Sequence, residues 1–410
     1  MKIGIVGYGV EGKSAEAYYK AKGDEVHILD TGMDLTGYDL LVRSPGVHPG
    51  KLPEDSKVTS VTNEFMAQCP APIIGVTGTK GKGTTSSLIT AMLKAVGKTV
   101  HLGGNIGVPA LDLLPHIQPD DVVVLELSSF QLMDAKKSPH IAVCLMIAPE
   151  HLDYHTDEQE YWDAKGNIFA HQGAADLAIY NLNSQPAADL AYTSAGVKIP
   201  YDAEGADKSG AYVADKAIWY QDTRICSVSD VALLGRHNLQ NVCAAVAAAW
   251  QVSQEVPSIA TAIQNFQGLP YRLQDLGVVS GIRYINDSFG VQPDAAMAAI
   301  QSFEESKVLI LGGVDRNLSY ADLADAVGKS NVRGVVLIGE TAQQIQSELQ
   351  IRNVVCEIVE GDMKTIVQHA TDMAQPGDVV ILSPACASFD MFKDYIDRGN
   401  QFNAAVKELQ

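Results

Sequence analysis

GVTGTKGKGTTSS, residues 75–87, stands where an apolar run stops and a helical pattern begins. The run PIIGVT feeds it, and a segment with apolar residues at Leu88, Met92 and Val96 leaves it. That change of period places a glycine loop between a strand and a helix. Glycines 78, 81 and 83 let backbone N–H groups converge, the helix N-terminus adds partial positive charge, and Lys80 and Lys82 add full charges. Together these make an anion site on physical grounds. The loop departs from the usual phosphate-binding pattern G-x-x-x-x-G-K-[ST]: Val76 stands where the first glycine is expected, and Gly83 follows Lys82 in place of a hydroxyl. The competing reading is a tight strand-to-helix turn with surface lysines.

Outward from this loop, apolar strands alternate with helices. PIIGVT, KTVHL, DVVVLEL, IAVCLMI and DLAIYN are strands of a parallel sheet covered by helices, an α/β architecture. AYVADKAIWYQDTRICSV, residues 211–228, reads as a small antiparallel excursion. CPAP (69–72) and FQGLP (266–270) disfavour regular structure and divide the chain into three domains, 1–70, 71–268 and 269–410. The first begins KIGIV, GYGVEG, a helix ending near Gly23, and EVHILD; the third alternates again through KVLILGG, GVVLIG and DVVILSP.

The 410 residues allow two or three domains, each with a core. Hydrophobic content of 46% and charged content of 19% are those of an ordinary globular protein. A net charge of -19 argues against nonspecific binding to nucleic acid or an anionic membrane, although local positive potential suffices for a small anion. The first apolar run is too short for a signal peptide, no stretch approaches a membrane span, and the six cysteines are scattered without a C-x-x-C pair. These features predict a reduced, cytoplasmic protein, and a monomer is expected.

Several polar residues fall at the carboxyl ends of the predicted strands, where parallel sheets bind ligands. DVVVLEL delivers Glu126, a carboxylate suited to a Mg²⁺ that bridges phosphates, or else a helix cap. His151, Asp153 and His155 follow IAVCLMI; no cysteine or second cluster completes a zinc site, so one histidine that helps to place phosphate or a metal is the simpler reading. Thr156 and Gln159 resemble a capping box, predicting a helix from there that carries Lys165 either inward or to the surface. GYGVEG with Asp30 fits the G-x-G-x-x-G fingerprint, which taken alone means a dinucleotide.

TGTKGK, GGNIG, ELSSFQL, APEHLDYH, DAKGNIF, GRHNLQN, YINDS and LSPACASFDMFKDYIDRGNQF, in this order from the central region to the C-terminus, resemble the Mur ligases. ELSSFQL and SPACASFD are similar to the branch of the family that adds D-glutamate to UDP-N-acetylmuramoyl-L-alanine. The resemblance implies a Rossmann-like N-terminal domain for the UDP-sugar, a central P-loop-type ATPase and a Rossmann-like C-terminal domain for the amino acid, in an ATP- and Mg²⁺-dependent ligase of peptidoglycan synthesis.

It further implies that Gly78, Thr79, Lys80, Gly81, Lys82, Gly83, Thr84 and Asn105 hold ATP phosphates. Glu126 and His151 match the metal positions, and Lys165 that of a lysine carbamylated in the family, a change that turns a cation into an anionic oxygen ligand. Asn238 and Asn241 match asparagines on the adenine side, and Arg272 and Asp287 match residues that reach the nucleotide from the third domain. Gly9, Val10, Asp30, Ser44 and Gly46 are expected at the UDP-sugar, its pyrophosphate taking the place of a dinucleotide's. Ser388 and Tyr395 are expected at the side-chain carboxylate of glutamate, and Arg316 at its α-carboxylate. A swing of residues 271–410 about Gly268–Pro270 is expected on ligand binding.

Three positions depart from the family pattern: NDSFGV puts Phe289 and Val291 where it has lysine and threonine, and GGVDRN puts Arg316 where it has lysine. With Gly83, they keep open a ligase for another amino acid, or a nucleotide-binding homologue that has lost turnover. An NAD-dependent oxidoreductase is the third reading.

Overall fold

Short β-branched runs, each followed by a glycine turn and an amphipathic stretch, give three separate sheets in the computed structural model, which describes residues 1–205, 207–235 and 237–409. Arg236, inside the GRHNLQN stretch, lies outside the described residues. The predicted α/β class, with mainly parallel sheets, holds. The first sheet contains β1 (Lys2–Val6), β2 (Glu25–Leu29), β3 (Leu40–Arg43) and β4 (Val58–Ser60), all parallel in the order β2-β1-β3-β4.

The second sheet is built from β5 (Ile73–Thr77), β6 (Val100–Gly104), β7 (Val122–Glu126), β8 (Ile141–Cys144), β9 (Leu177–Asn181), β10 (Val197–Asp202), β11 (Ala211–Ala214), β12 (Ala217–Tyr220) and β13 (Thr223–Ser227). Its order is β13-β12-β11-β10-β9-β8-β5-β7-β6. The 211–228 segment forms the expected antiparallel edge. Strand β5 lies between β7 and β8, so the chain leaves it in one direction and later returns on its other side. At such a reversal the carboxyl ends of neighbouring strands open a crevice, the usual ligand position in an open α/β sheet. Both faces of β5 and β7 are covered, which is why they read as continuous apolar runs.

The helix Lys82–Ala95 leaves β5 and buries Leu88, Ile89 and Met92 completely. Each such side chain contributes about 1.5–3 kcal/mol over an exposed one. The helix His237–Trp250 packs beside it; its run of alanines from Ala244 to Ala249, broken only by Val246, is wholly buried, and the small side chains admit close neighbours on every side. One apolar cluster joins Ile3, Ile5 and Phe65 of the first sheet region to Val123, Leu125 and Tyr161 of the second.

The third sheet, β14 (Gln274–Val279), β15 (Ile282–Asn286), β16 (Lys307–Gly312), β17 (Val332–Ile338), β18 (Cys356–Ile358) and β19 (Val379–Leu382), runs in the order β14-β15-β19-β16-β17-β18. Only β14 is antiparallel to its neighbour. The chain divides into two compact units, Met1–Val231 with His237–Phe266, and Ala232–Arg236 with Gln267–Gln410. No helix among the described residues is long and apolar enough to cross a membrane.

One local expectation fails. The helix before Lys165 spans Glu158–Ala170 and is capped by Asp157, which accepts from the Glu160 N–H at 2.8 Å, rather than by Thr156. Glu160 then reaches back to the Thr156 N–H at 2.7 Å, while Gln159 bonds Asp163. Aspartate ranks above threonine as an N-cap, and Glu160 accepts from the N–H one residue before the cap instead of completing a capping box.

Candidate active site

The glycine loop sits at the carboxyl end of β5. Gly78 has φ +143 and Gly81 φ +86, conformations that side chains rarely adopt. A Cβ on Gly81 would lie 2.2 Å from Oδ1 of Asn241, so the helix His237–Trp250 presses its first turn directly against the loop. Asn241 also donates to Oδ1 of Asn238 at 2.7 Å and accepts from Thr85 Oγ1 at 3.4 Å. Lys82 is turned back over the loop, its ammonium donating to the carbonyl oxygens of Gly78 and Thr79, each at 3.0 Å. Thr79 is fixed from below by Tyr161 and by the Ala148 carbonyl, both at 2.9 Å. Lys80 is exposed and pairs with Glu150 at 2.6 Å. Gly83 and Thr84 are buried in the first turn of the helix.

The second lysine turns inward. Lys165 is 2% exposed, donates to the same Gly78 carbonyl at 2.8 Å, and lies 4.7 Å from the centre of the Tyr161 ring. Burial pushes its pKa down to about 7, with the neighbouring Lys82 charge acting in the same direction. The amine therefore spends a substantial fraction of its time neutral near pH 7.

Glu126 closes β7 as a buried carboxylate, one oxygen accepting from Asn105 Nδ2 at 2.7 Å while the Asn105 N–H donates to the Glu126 carbonyl at 2.9 Å. His151 holds a left-handed backbone (φ 59), packs on Phe130 at 4.9 Å between ring centres, and has its pKa lowered mainly by burial. His155 packs on the same Phe130 ring, 5.6 Å between ring centres, and is bonded through Nε2 to Ser129 at 3.0 Å. Among the described residues no group of three or more His, Cys, Asp or Glu side chains converges. An oxygen donor such as Glu126 suits a hard cation, whereas the Lys165 amine does so only once converted to a carbamate.

At the N-terminal turn, Gly7 has φ +84 and its carbonyl accepts from Ser44 Oγ at 2.5 Å. Gly9 is the N-cap of the helix Val10–Ala21, with open space over its α-carbon, as over Gly46; Val10 and Asp30 are exposed. Sequence reading missed Glu11 here. Its Oε1 accepts from Gln131 Nε2 at 2.5 Å, its Oε2 is enclosed without a hydrogen-bond partner, and burial pushes its pKa up to about 7. An acidic residue inside G-x-G-x-x-G was the available signal. Arg43 was missed too: fully buried, it pairs with Asp134 at 2.5 and 3.0 Å and donates to the Phe130 and Val47 carbonyls, each at 2.9 Å.

In the second unit Asp287 is buried below the Gly290 turn, accepting from Ser383 Oγ at 2.7 Å and the Leu273 N–H at 3.1 Å, with its pKa raised to about 6 by burial. The Arg272 guanidinium lies 3.7 Å from the centre of the Phe289 ring. Ser388 is buried, and its carbonyl accepts from the Phe392 N–H at 2.8 Å; Tyr395 is half-buried and packs against Phe289, while Arg316 is exposed. Arg398, also missed from sequence, is wholly buried and ties Ser288 to the Cys386 carbonyl.

Comparison with known proteins bears directly on these two constellations. Residues 76–249 match the Mur ligase middle domain and residues 271–386 the Mur ligase, glutamate ligase domain. The UDP-N-acetylmuramoylalanine–D-glutamate ligase of Acetivibrio thermocellus is 35% identical over 459 aligned positions, covering 100% of this chain and 97% of that protein. The chain belongs to the Mur ligase family. The equally named ligase of Clostridium tetani is 35% identical, covering 95% of this Mur ligase and 87% of the relative. Among solved structures, UDP-N-acetylmuramate-alanine ligase from Thermotoga maritima has a TM-score of 0.65 at 18% identity, covering 100% of each chain. MurF from Acinetobacter baumannii has a TM-score of 0.66 at 17% identity, covering 91% of this Mur ligase and 86% of its own chain. At that identity the structural likeness speaks for the fold.

Proposed function

We propose that this Mur ligase joins D-glutamate to UDP-N-acetylmuramoyl-L-alanine with conversion of ATP to ADP and phosphate, a step of peptidoglycan precursor synthesis. One observation carries the chemistry: two lysines, Lys82 and Lys165, converge on the Gly78 carbonyl in a glycine loop at the reversal point of the second sheet. The likeness along the whole chain to ligases named for D-glutamate supports the substrates.

ATP phosphates take the place above the loop, where backbone N–H groups, the helix N-terminus and Lys82 favour anions. Lys82 then leaves its carbonyl partners for phosphate oxygens. A carboxylate oxygen of the UDP-sugar substrate attacks the γ-phosphorus, the bond to the β-phosphate oxygen breaks, and ADP leaves. The amine of glutamate attacks the resulting acyl phosphate, phosphate departs, and the amine's surplus proton passes to solvent or to a neighbouring base. Charge at the transferring phosphoryl group is the main electrostatic demand, which Lys82 meets in part. Glu126, His151 and a carbamate on Lys165 are the residues that would hold Mg²⁺, which supplies further charge neutralisation when bound. The carbamate forms when the neutral Lys165 amine adds to CO₂ and releases one proton. Gly9, Val10, Ser44, Gly46 and Asp30 serve the UDP-sugar; Arg272 and Asp287 serve the nucleotide; Ser388, Tyr395 and Arg316 serve the amino acid.

The test is phosphate release and product mass with ATP, Mg²⁺, UDP-N-acetylmuramoyl-L-alanine and a panel of amino acids. D-Glutamate is expected to support turnover, and omission of either co-substrate to abolish it. Phe289 and Val291 favour one specific alternative, a ligase for another amino acid, which turnover with that amino acid and not with D-glutamate would establish. Nucleotide binding without turnover on any member of the panel would sink the ligase reading.

A further inference from the structure

Arg272 is held in an unusual way. The residues on either side of it, Tyr271 (φ 62) and Leu273 (φ 44), both adopt left-handed backbone conformations although neither is glycine. Each costs about 1–3 kcal/mol and persists only where surrounding structure imposes it. That structure is present on both sides. The Tyr271 carbonyl accepts from the Phe289 N–H at 2.9 Å, and the Leu273 N–H donates to Asp287 at 3.1 Å. The Tyr271 hydroxyl is tied to Asn400 at 2.7 Å. The strained pair therefore projects the single side chain between them, and that side chain ends on the face of Phe289, 3.7 Å from ring centre to guanidinium carbon.

Phe289 is itself braced. The Tyr395 ring meets it at 90° with centres 5.1 Å apart, and the Tyr395 carbonyl accepts from Ser288 Oγ at 2.8 Å. Yet the phenylalanine remains 38% exposed, more than a ring kept only for packing needs. A guanidinium lying on an aromatic face keeps its donors in their own plane, toward the rim of the ring, where a planar or tetrahedral anion can meet them.

We propose that Phe289 is the positioning residue for Arg272, its ring serving as the platform that fixes the guanidinium for an anionic phosphate group. This rests on the assignment of Arg272 to the nucleotide above. A cation–π contact at a partly exposed site changes affinity by about two- to five-fold. Phe289→Leu is therefore expected to raise the KM for ATP, and the Kd for a non-hydrolysable ATP analogue, by about that factor. Phe289→Tyr and Phe289→Trp, which keep an aromatic face, should restore both. A loss caused by packing alone would instead follow side-chain volume, and the tryptophan variant would be the worst of the three.

A second readout does not depend on turnover. The Nε–H proton of Arg272, assigned by its absence in Arg272→Gln, should be shifted upfield by the Phe289 ring current and return to the ordinary arginine position in Phe289→Leu. An unshifted resonance in the wild-type protein, or a leucine variant with unchanged analogue affinity, overturns the proposal. Absence of ATP turnover in the wild-type enzyme would count instead against the ligase assignment, and the analogue affinity and the resonance would still decide the role of Phe289.

Discussion

Lys165 reaches the carbonyl oxygen of Gly78, 87 residues away, at 2.8 Å from a position that is 2% exposed. A buried lysine at the floor of this glycine loop is costly as a cation, because the Lys82 ammonium bonds the same carbonyl. Both facts favour the neutral amine, and only a neutral amine has the lone pair that attacks CO₂. In protein equilibrated with carbon-13 bicarbonate, a single lysine carbamate resonance is therefore expected and should vanish in Lys165→Ala. That variant should lose at least about a hundredfold in kcat, the scale of removing one preorganised electrostatic group, and short-chain carboxylates should return part of it. A variant of full activity would reduce Lys165 to a structural residue.

Glu126 offers a different readout. Its carboxylate is held by Asn105 at 2.7 Å and closes a strand whose every residue is buried. Glu126→Gln preserves shape and removes the charge. Turnover should fall by about two to three orders of magnitude, and the Mg²⁺ concentration needed for half-maximal rate should rise, with the fold intact by circular dichroism. Unaltered Mg²⁺ dependence would show that the metal lies elsewhere.

Asp134 compensates the wholly buried Arg43 with two hydrogen bonds. Removing it in Asp134→Ala leaves a guanidinium in the interior with only carbonyl partners, and the expected loss is about 3–5 kcal/mol in urea unfolding. Arg43→Met, which removes the charge as well, should be the milder change. If both cost the same, the pair contributes packing rather than charge compensation.

The contrast between Arg43 and the strands around it shows what the sequence can carry. Strand β5 and the glycine loop were legible because period and glycine placement are local, and so was the antiparallel edge at 211–228. LLVRSP gives no hint that its arginine is interior, since the partner Asp134 lies 91 residues on. Likewise, composition could not decide whether Lys165 points inward; the helix from Glu158 and the Tyr161 ring beneath the loop decide it. Thr156 lost the cap to Asp157 because aspartate is the better N-cap of the two neighbours, and Glu160 then accepts from the freed Thr156 N–H. Lys82 was picked out by the glycine loop, Glu126 by its place at a strand end and Asn105 by the family resemblance, whereas Arg43 and Arg398 are visible only as buried polar atoms in three dimensions.

Glu11 provides the pH prediction. Its carboxyl is enclosed at the first turn of the helix Val10–Ala21, with Gln131 on one oxygen, no partner on the other, and Arg43 as a nearby cation whose effect is smaller than that of burial. The native pKa, about 7, lies above its ordinary 4.5, so the folded protein binds more protons than the unfolded chain between those values. Stability from this group is fully present below about pH 4.5 and is lost as pH rises through 7, by up to about 3 kcal/mol. Glu11→Gln keeps an acceptor for Gln131 and cannot ionise. Relative to wild type it should therefore gain in unfolding midpoint from pH 5 to pH 8, by an amount that levels off above pH 8. A diphosphate bound over Gly9 would disfavour the ionised carboxyl further, so UDP-sugar affinity in the wild-type protein should weaken as pH rises and do so less in the variant. Parallel stability curves for the two proteins across this range would mean that Glu11 is already ionised in the native state, and that the unpartnered oxygen is satisfied by solvent.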